Sequence, residues 1–318
     1  MFFVIFNHLS VPDLYYRFTY PFELVGFFFV SGYTFSTKRN WAIFISNKLR
    51  SLVFPIFSLG MINCILSCCV KGTDFKDYIS GLLIQFPGRW DDLWFVACLF
   101  IMEVVFYFVL RVVSSNLYRL LICLLFSLMG YYLLVVNVNI LLPWHIQNAC
   151  IFIPFLLAGY VCRQAYSGQL LFKYLTKGQS KKTLIATTLC YLTVVLSYDN
   201  RHVDVHLLQF GNFIVFYASA IIGLMMVVCI SVMLESWRNN VFLKFLGFIG
   251  ANTLVYYAFQ SKIISGLAVM TALSGIQYKP YISSLIYCII ICCLLSVPAY
   301  AIKRFFPFLL RPKFMKGL

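Results

Sequence analysis

The chain has 318 residues, 62% of them apolar and 11% charged, and a net charge of +15. A water-soluble domain carries about 45–50% apolar and about 25% charged residues, so a soluble enzyme or adaptor is excluded and lipid is the expected solvent. The Lys and Arg residues sit in short connections between apolar runs and form no stripe interleaved with aromatics, which removes nucleic acid as a partner despite the charge. In chain order, residues 1–9 are apolar but cover only about half a bilayer at ~1.5 Å per residue. That run reads as a truncated first helix or as a start set too far downstream. A cleaved signal peptide fits poorly, because no basic region precedes the run and no small-residue cleavage site follows it. A short run spans 21–35, and further runs follow at 52–70, 93–113, 117–136, 149–162, 184–198, 210–234, 252–272 and 281–302. The reading is an all-α, polytopic membrane protein of about ten transmembrane helices, one domain over 1–318, with no internal repeat and no soluble module.

Alternate connections differ sharply in basic residues. One set holds Lys38, Arg39, Lys48, Arg50, Arg111, Arg119, Arg163, Lys173, Lys177, Lys181, Lys182, Arg238, Lys244 and the tail from Lys303 to Lys316. The other holds Arg17, Lys71, Lys76, Arg89, Arg201 and Lys279, diluted by Asp13, Asp74, Asp77, Asp91, Asp92, Asp199 and Asp204. The positive-inside rule makes the first set cytoplasmic, so both termini are expected in the cytoplasm and the helix count is expected to be even. The 12 cysteines lie almost entirely inside apolar runs. Cys288 and Cys292 share a helical face, yet no His or carboxylate accompanies them, so they read as small hydrophobes and no metal site is expected.

Few residues at membrane depth can carry chemistry. His8 ends the first run; its charged form loses solvation there, so a neutral imidazole able to take a proton from a hydroxyl is the expected state. A neutral histidine capping a helix end is the structural alternative. Ser31 and Gly32 are small residues among bulky aromatics and allow two helix backbones to approach closely. Glu23 and Glu103 are the acids nearest membrane depth, and either could orient a histidine or pair with a cation. Lys262 can snorkel. The cluster Arg89, Trp90, Asp91, Asp92, Leu93, Trp94 and Phe95 combines acceptors with flat indoles, which suits sugar contact but also matches an interfacial aromatic belt. Trp144, His145 and Gln147 form a weaker second candidate.

Five blocks together resemble the acyltransferase 3 family, most closely its membrane O-acetyltransferases and the branch that includes fucose acetylases. They are His8 with Phe28-Phe29-Val30-Ser31-Gly32-Tyr33; Lys48, Arg50 and Pro55; Leu93-Trp94-Phe95; Pro143-Trp144 with Pro154-Phe155 and Gly159-Tyr160; and Gly250-Ala251-Asn252-Thr253-Leu254 leading to Tyr257. The resemblance implies transfer of an acyl group, usually acetyl, from cytoplasmic acetyl-CoA to a hydroxyl of a cell-surface glycan or its lipid-linked precursor, in the inner (plasma) membrane. It implies that His8 is essential, as general base; Glu23, chosen for its depth, is the candidate to orient it. Lys38, Arg39, Lys48 and Arg50 would meet the CoA phosphates. Ser31, Arg89, Asp91, Asp92, Trp94 and Trp144 are the candidates for acceptor contact. The chain departs from the family twice: the Arg that commonly precedes the histidine would fall before Met1, and Gln260 stands where a late histidine is common. A transporter or flippase for a polysaccharide precursor is the alternative, and it should show broken helices at the midplane lined by charge.

Overall fold

The structure, a computed structural model, describes residues 1–9, 11–86, 88, 92–136, 142–167, 179–200, 203–237, 239–274 and 282–311. Among them the fold is helical, with one isolated bridge between Asp204 and Gln209. The helices are α1 Phe2–Asn7, α2 Asp13–Thr34, α3 Trp41–Lys48, α4 Phe54–Lys71, α5 Phe75–Ile84, α6 Trp94–Val112, α7 Asn116–Val136, α8 Ile146–Ser167, α9 Gln179–Asp199, α10 Phe213–Leu234, α11 Val241–Ala251, α12 Thr253–Leu273 and α13 Ile282–Phe305. Side-chain caps start several of them: Asn40 accepts from Ile43 N, Asp74 from Lys76 N, Asn212 from Ile214 N and Asn240 from Phe242 N. Gly72, at φ 63°, ends α4 in the left-handed conformation that glycine tolerates.

Among the described residues six helical segments are long and apolar enough to cross a membrane: Trp41–Val70, Trp94–Val112, Asn116–Val136, Pro143–Ala165, Phe213–Leu234 and Ser283–Phe305. The pair α11 and α12, bent by 90° at Asn252, makes a seventh if counted as one span. The expected total of about ten is therefore reached only in part. At 22 residues α2 has the length but carries Arg17, Glu23 and several hydroxyls, whereas α9 offers the shorter apolar stretch Thr183–Tyr198 and α1, at 6 residues, makes fewer than two turns.

At the centre α2 packs on α8, and α1, α9 and α10 also contact it. The α2–α8 contact is backbone on backbone. A Cβ at Gly32 would fall into the carbonyl of Leu156, and one at Gly159 into the carbonyl of Phe29, so two glycines set the crossing. Beyond α1, α13 packs on α12 and α12 on α4, while α7 and α6 flank α8.

Several arginines gather around the end of α2 and the start of α3. There Arg111 donates to the carbonyls of Thr37 and Arg39 at 3.1 and 2.9 Å, and Arg163 donates to Phe35 O at 3.2 Å. Both guanidiniums thus satisfy carbonyls just beyond the C-terminus of α2, where the helix dipole favours positive charge. Arg311 reaches Asn47 at the same end.

Candidate active site

The opposite end of α2 receives α1. Its last residue, Asn7, donates to Glu23 Oε2 at 2.7 Å and accepts from Thr19 Oγ1 at 2.8 Å. One amide therefore joins two buried polar groups of α2 and fixes the rotation of the last turn of α1. His8 follows as the C-cap, its N–H bonded to the carbonyls of Val4 and Ile5 at 3.3 and 3.2 Å. The backbone is held, and the ring makes no hydrogen bond to the described residues. It is exposed to open space instead.

That space is a cavity of about 190 Å³ bordered by His8, Asn7 and Glu23, by Tyr16 and Tyr20 of α2, and by Trp94, Tyr257, Asp204 and His206. Tyr16 and Tyr20, one turn apart, stack at 4.5 Å between ring centroids, and the Tyr20 hydroxyl donates to Asp204 Oδ1 at 3.2 Å. Two imidazoles, two carboxylates and a tyrosine pair thus share one small void. The volume lies below the ~300–1,000 Å³ of a drug-sized ligand site, so it admits a group no larger than a single small ring.

Asp204 and His206 come from the connection between α9 and α10, which folds back into the bundle. Asp204 and Gln209 exchange backbone hydrogen bonds of 2.6 and 2.7 Å, and Asp204 Oδ1 accepts from Leu207 N at 3.0 Å. Val203, Val205, Leu208 and Phe210 are buried, and Asn148 Nδ2 donates to Val205 O at 2.7 Å. His206 is left over Trp94, with centroids 5.0 Å apart, beside His145 at 5.5 Å. Buried valines hold the tight turn in place, and the turn presents the second imidazole.

Near the basic end of α2 the polar groups close on one another. Lys48 Nζ lies 2.7 Å from Glu103 Oε2, and Ser31 donates to Glu103 Oε1 at 2.7 Å. The ammonium also stands 5.7 and 5.8 Å from the ring centroids of Phe35 and Phe44. Arg50 is buried as well, and its Nε has no hydrogen-bond partner among the described residues. In a regular helix residues two apart point to roughly opposite sides, at about 100° per residue. The π-helical turn Leu49–Val53 widens the helix between these cations, and Pro55, which has no N–H to give, stands just after it. Lys38 and Arg39 lie on the surface nearby. An apolar groove of about 770 Å³ between α2 and α10 reaches from Met1 and Glu23 to Tyr33 and Glu235. Glu23 therefore borders open space on both sides.

A family model described as an acyltransferase domain matches residues 1–302. The chain belongs to the acyltransferase 3 family. No curated protein matches it, and no solved structure does. The match runs from His8 through the basic end to α13, so both polar centres on α2 fall within the family's domain. Among the described residues no group of His, Cys, Asp and Glu could hold a metal ion.

Of the residues expected from sequence, the structure brings His8, Glu23 and Trp94 to one cavity. Ser31 is not among its walls: it lies eight residues beyond Glu23, about 12 Å along the helix, and is bonded to Glu103. Asp92 belongs to another cluster, accepting from Tyr78 at 2.9 Å and from Lys262 at 3.2 Å. Lys262, which could have snorkelled, is thus paired with Asp92. Trp144 donates to Leu83 O at 3.1 Å, tying α5 to the turn before α8. Arg89 and Asp91 lie outside the described residues. Sequence reasoning missed His206, Tyr16 and Tyr20, and treated Asp204 only as a loop charge. The spacing Asp204-x-His206 in a chain with 4 histidines was the available signal.

Proposed function

We propose that this acyltransferase is a membrane O-acyltransferase that moves an acyl group, acetyl in the simplest case, from cytoplasmic acyl-CoA to a hydroxyl of a cell-surface glycan or its lipid-linked precursor. The observation that carries the reading is the unbonded ring of His8 in a polar cavity shared with Glu23, Asp204 and His206. His8 takes the proton of the acceptor hydroxyl while its oxygen attacks the thioester carbonyl. The C–S bond then breaks, and the imidazolium returns the proton to the departing thiolate, giving the ester and free CoA thiol. Asp204, whose charge acts on His8 across the cavity, balances the transient imidazolium charge, and the aromatic wall of Trp94 and Tyr257 offers an apolar face to a sugar ring.

Lys38 and Arg39 are available to the CoA phosphates, with Lys48 and Arg50 behind them. The apolar groove along α2 supports access for the thioester arm from that end to Glu23. In this reading one membrane domain over 1–318 lies in the inner membrane with both termini in the cytoplasm. To the spans already counted α2 and α9 add two more, and α1, at 6 residues, covers only part of a tenth. A transporter gains little support: the bend at Asn252 is bordered by the apolar α11, and its amide is occupied by Phe248 O at 2.8 Å. Mass spectrometry of surface glycan from a bacterial strain lacking the protein tests the reading. An acyl mass should disappear, and an unchanged acyl pattern contradicts it.

A further inference from the structure

His8 stands on the wall of a second space. A groove of about 320 Å³ runs between α12 and α13, bordered by His8 and Leu9, by Ile264, Leu267, Ala268 and Thr271 of α12, and by Tyr287 and Ile291 of α13. The α12 residues follow the i, i+3, i+4, i+7 pattern of one helix face, and the α13 residues are one turn apart. Next to the groove the helices expose Val269, Met270, Leu285, Ile286 and Ile289, the surface expected of helices bathed in lipid. One imidazole therefore separates a polar cavity inside the bundle from a mostly aliphatic channel at its lipid-facing side.

We propose that the acceptor is an amphiphile, a hydroxylated headgroup carried on a lipid chain, which enters sideways from the bilayer between α12 and α13. This rests on the acyl-transfer reading of His8. The chain stays in the groove, the headgroup turns into the cavity, and the reacting hydroxyl lies at the junction, where His8 is. A free oligosaccharide passing through the groove would leave water for a mostly aliphatic wall that replaces few of its hydrogen bonds. A lipid chain loses nothing there, because it exchanges one apolar surrounding for another. The small cavity fits the same assignment, since it has room for a single sugar unit and not for a polymer.

The test uses the full chain in phosphatidylcholine nanodiscs with acetyl-CoA, comparing methyl glycosides with dodecyl and farnesyl-phosphoryl glycosides of the same sugars. The chain-bearing forms should be preferred in kcat/KM by about tenfold or more. Membrane partitioning alone gives some preference, so the decisive readout is its loss. Ala268→Phe, on the exposed lip, and Leu267→Trp, on the same wall, should each cut the ratio of chain-bearing to methyl acceptor about tenfold. An equal rate for both acceptor forms overturns the lateral route, as does a preference unaltered by either substitution, which would mean that bilayer lipid alone fills the groove. Failure of the wild-type protein to acylate any acceptor overturns the acyl-transfer reading itself.

Discussion

Glu23 and Ser31 lie on the same helix, yet their surroundings treat them in opposite ways. Glu23 takes one hydrogen bond, from Asn7, and otherwise borders open space shared with His8. Ser31 is drawn into a closed set in which Glu103 is held by a hydroxyl and an ammonium at once. A polar group facing a void is available to a substrate, whereas one facing its partner is spent on holding helices together. Substitutions at the two regions should therefore separate into losses of activity and losses of stability.

The largest stability effect is expected at the closed region. Lys48→Ala leaves the Glu103 carboxylate buried without its cation and should cost about 3–5 kcal/mol, read as a lowered thermal midpoint in detergent. Replacing both partners, Lys48→Met with Glu103→Leu, should recover most of it. If the double variant is as unstable as the single one, the pair is more than a clamp.

Next in size is the helix crossing that carries both regions. Gly159→Ala forces α2 and α8 apart and should cost about 1–3 kcal/mol. Gly26 has nothing within reach of an added Cβ, so Gly26→Ala is the matched control and should leave the midpoint near that of the wild type.

Asn7→Ala tests the join between the two outcomes. It leaves Glu23 and Thr19 without their shared partner, at a cost of about 1–3 kcal/mol, and it also releases the turn that aims His8. Turnover should fall further than the stability loss explains, measured on protein held well below its midpoint. The smallest effect belongs to His206→Phe. The ring over Trp94 is kept, so stability should hold while turnover falls by roughly fivefold or less, the amount expected of a group that tunes the cavity without taking the proton.

Local signals carried much of the architecture. Apolar run length marked most of the helices, and the small pair Ser31-Gly32 marked a backbone contact. His8 stood out because an ionisable residue at a helix end in lipid is rare. The other half of the cavity was not legible. Asp204 and His206 reach it only because Val203, Val205 and Phe210 pull a polar connection into the bundle, a tertiary event with no periodicity to announce it. The partner of Glu103 was equally hidden, since Lys48 is 55 residues away in sequence and faces inward across a widened turn. The partners of Trp144 and Asp92 were hidden as well, a carbonyl of α5 for one and the cation of Lys262 for the other.

The central claim is that the ring of His8 takes the acceptor proton, and single-turnover transfer of a radiolabelled acetyl group by His8→Ala in native membranes tests it most directly. The account predicts a fall of about 10²–10⁴ in rate with the amount of folded protein unchanged. Transfer at the wild-type rate in that variant would contradict it.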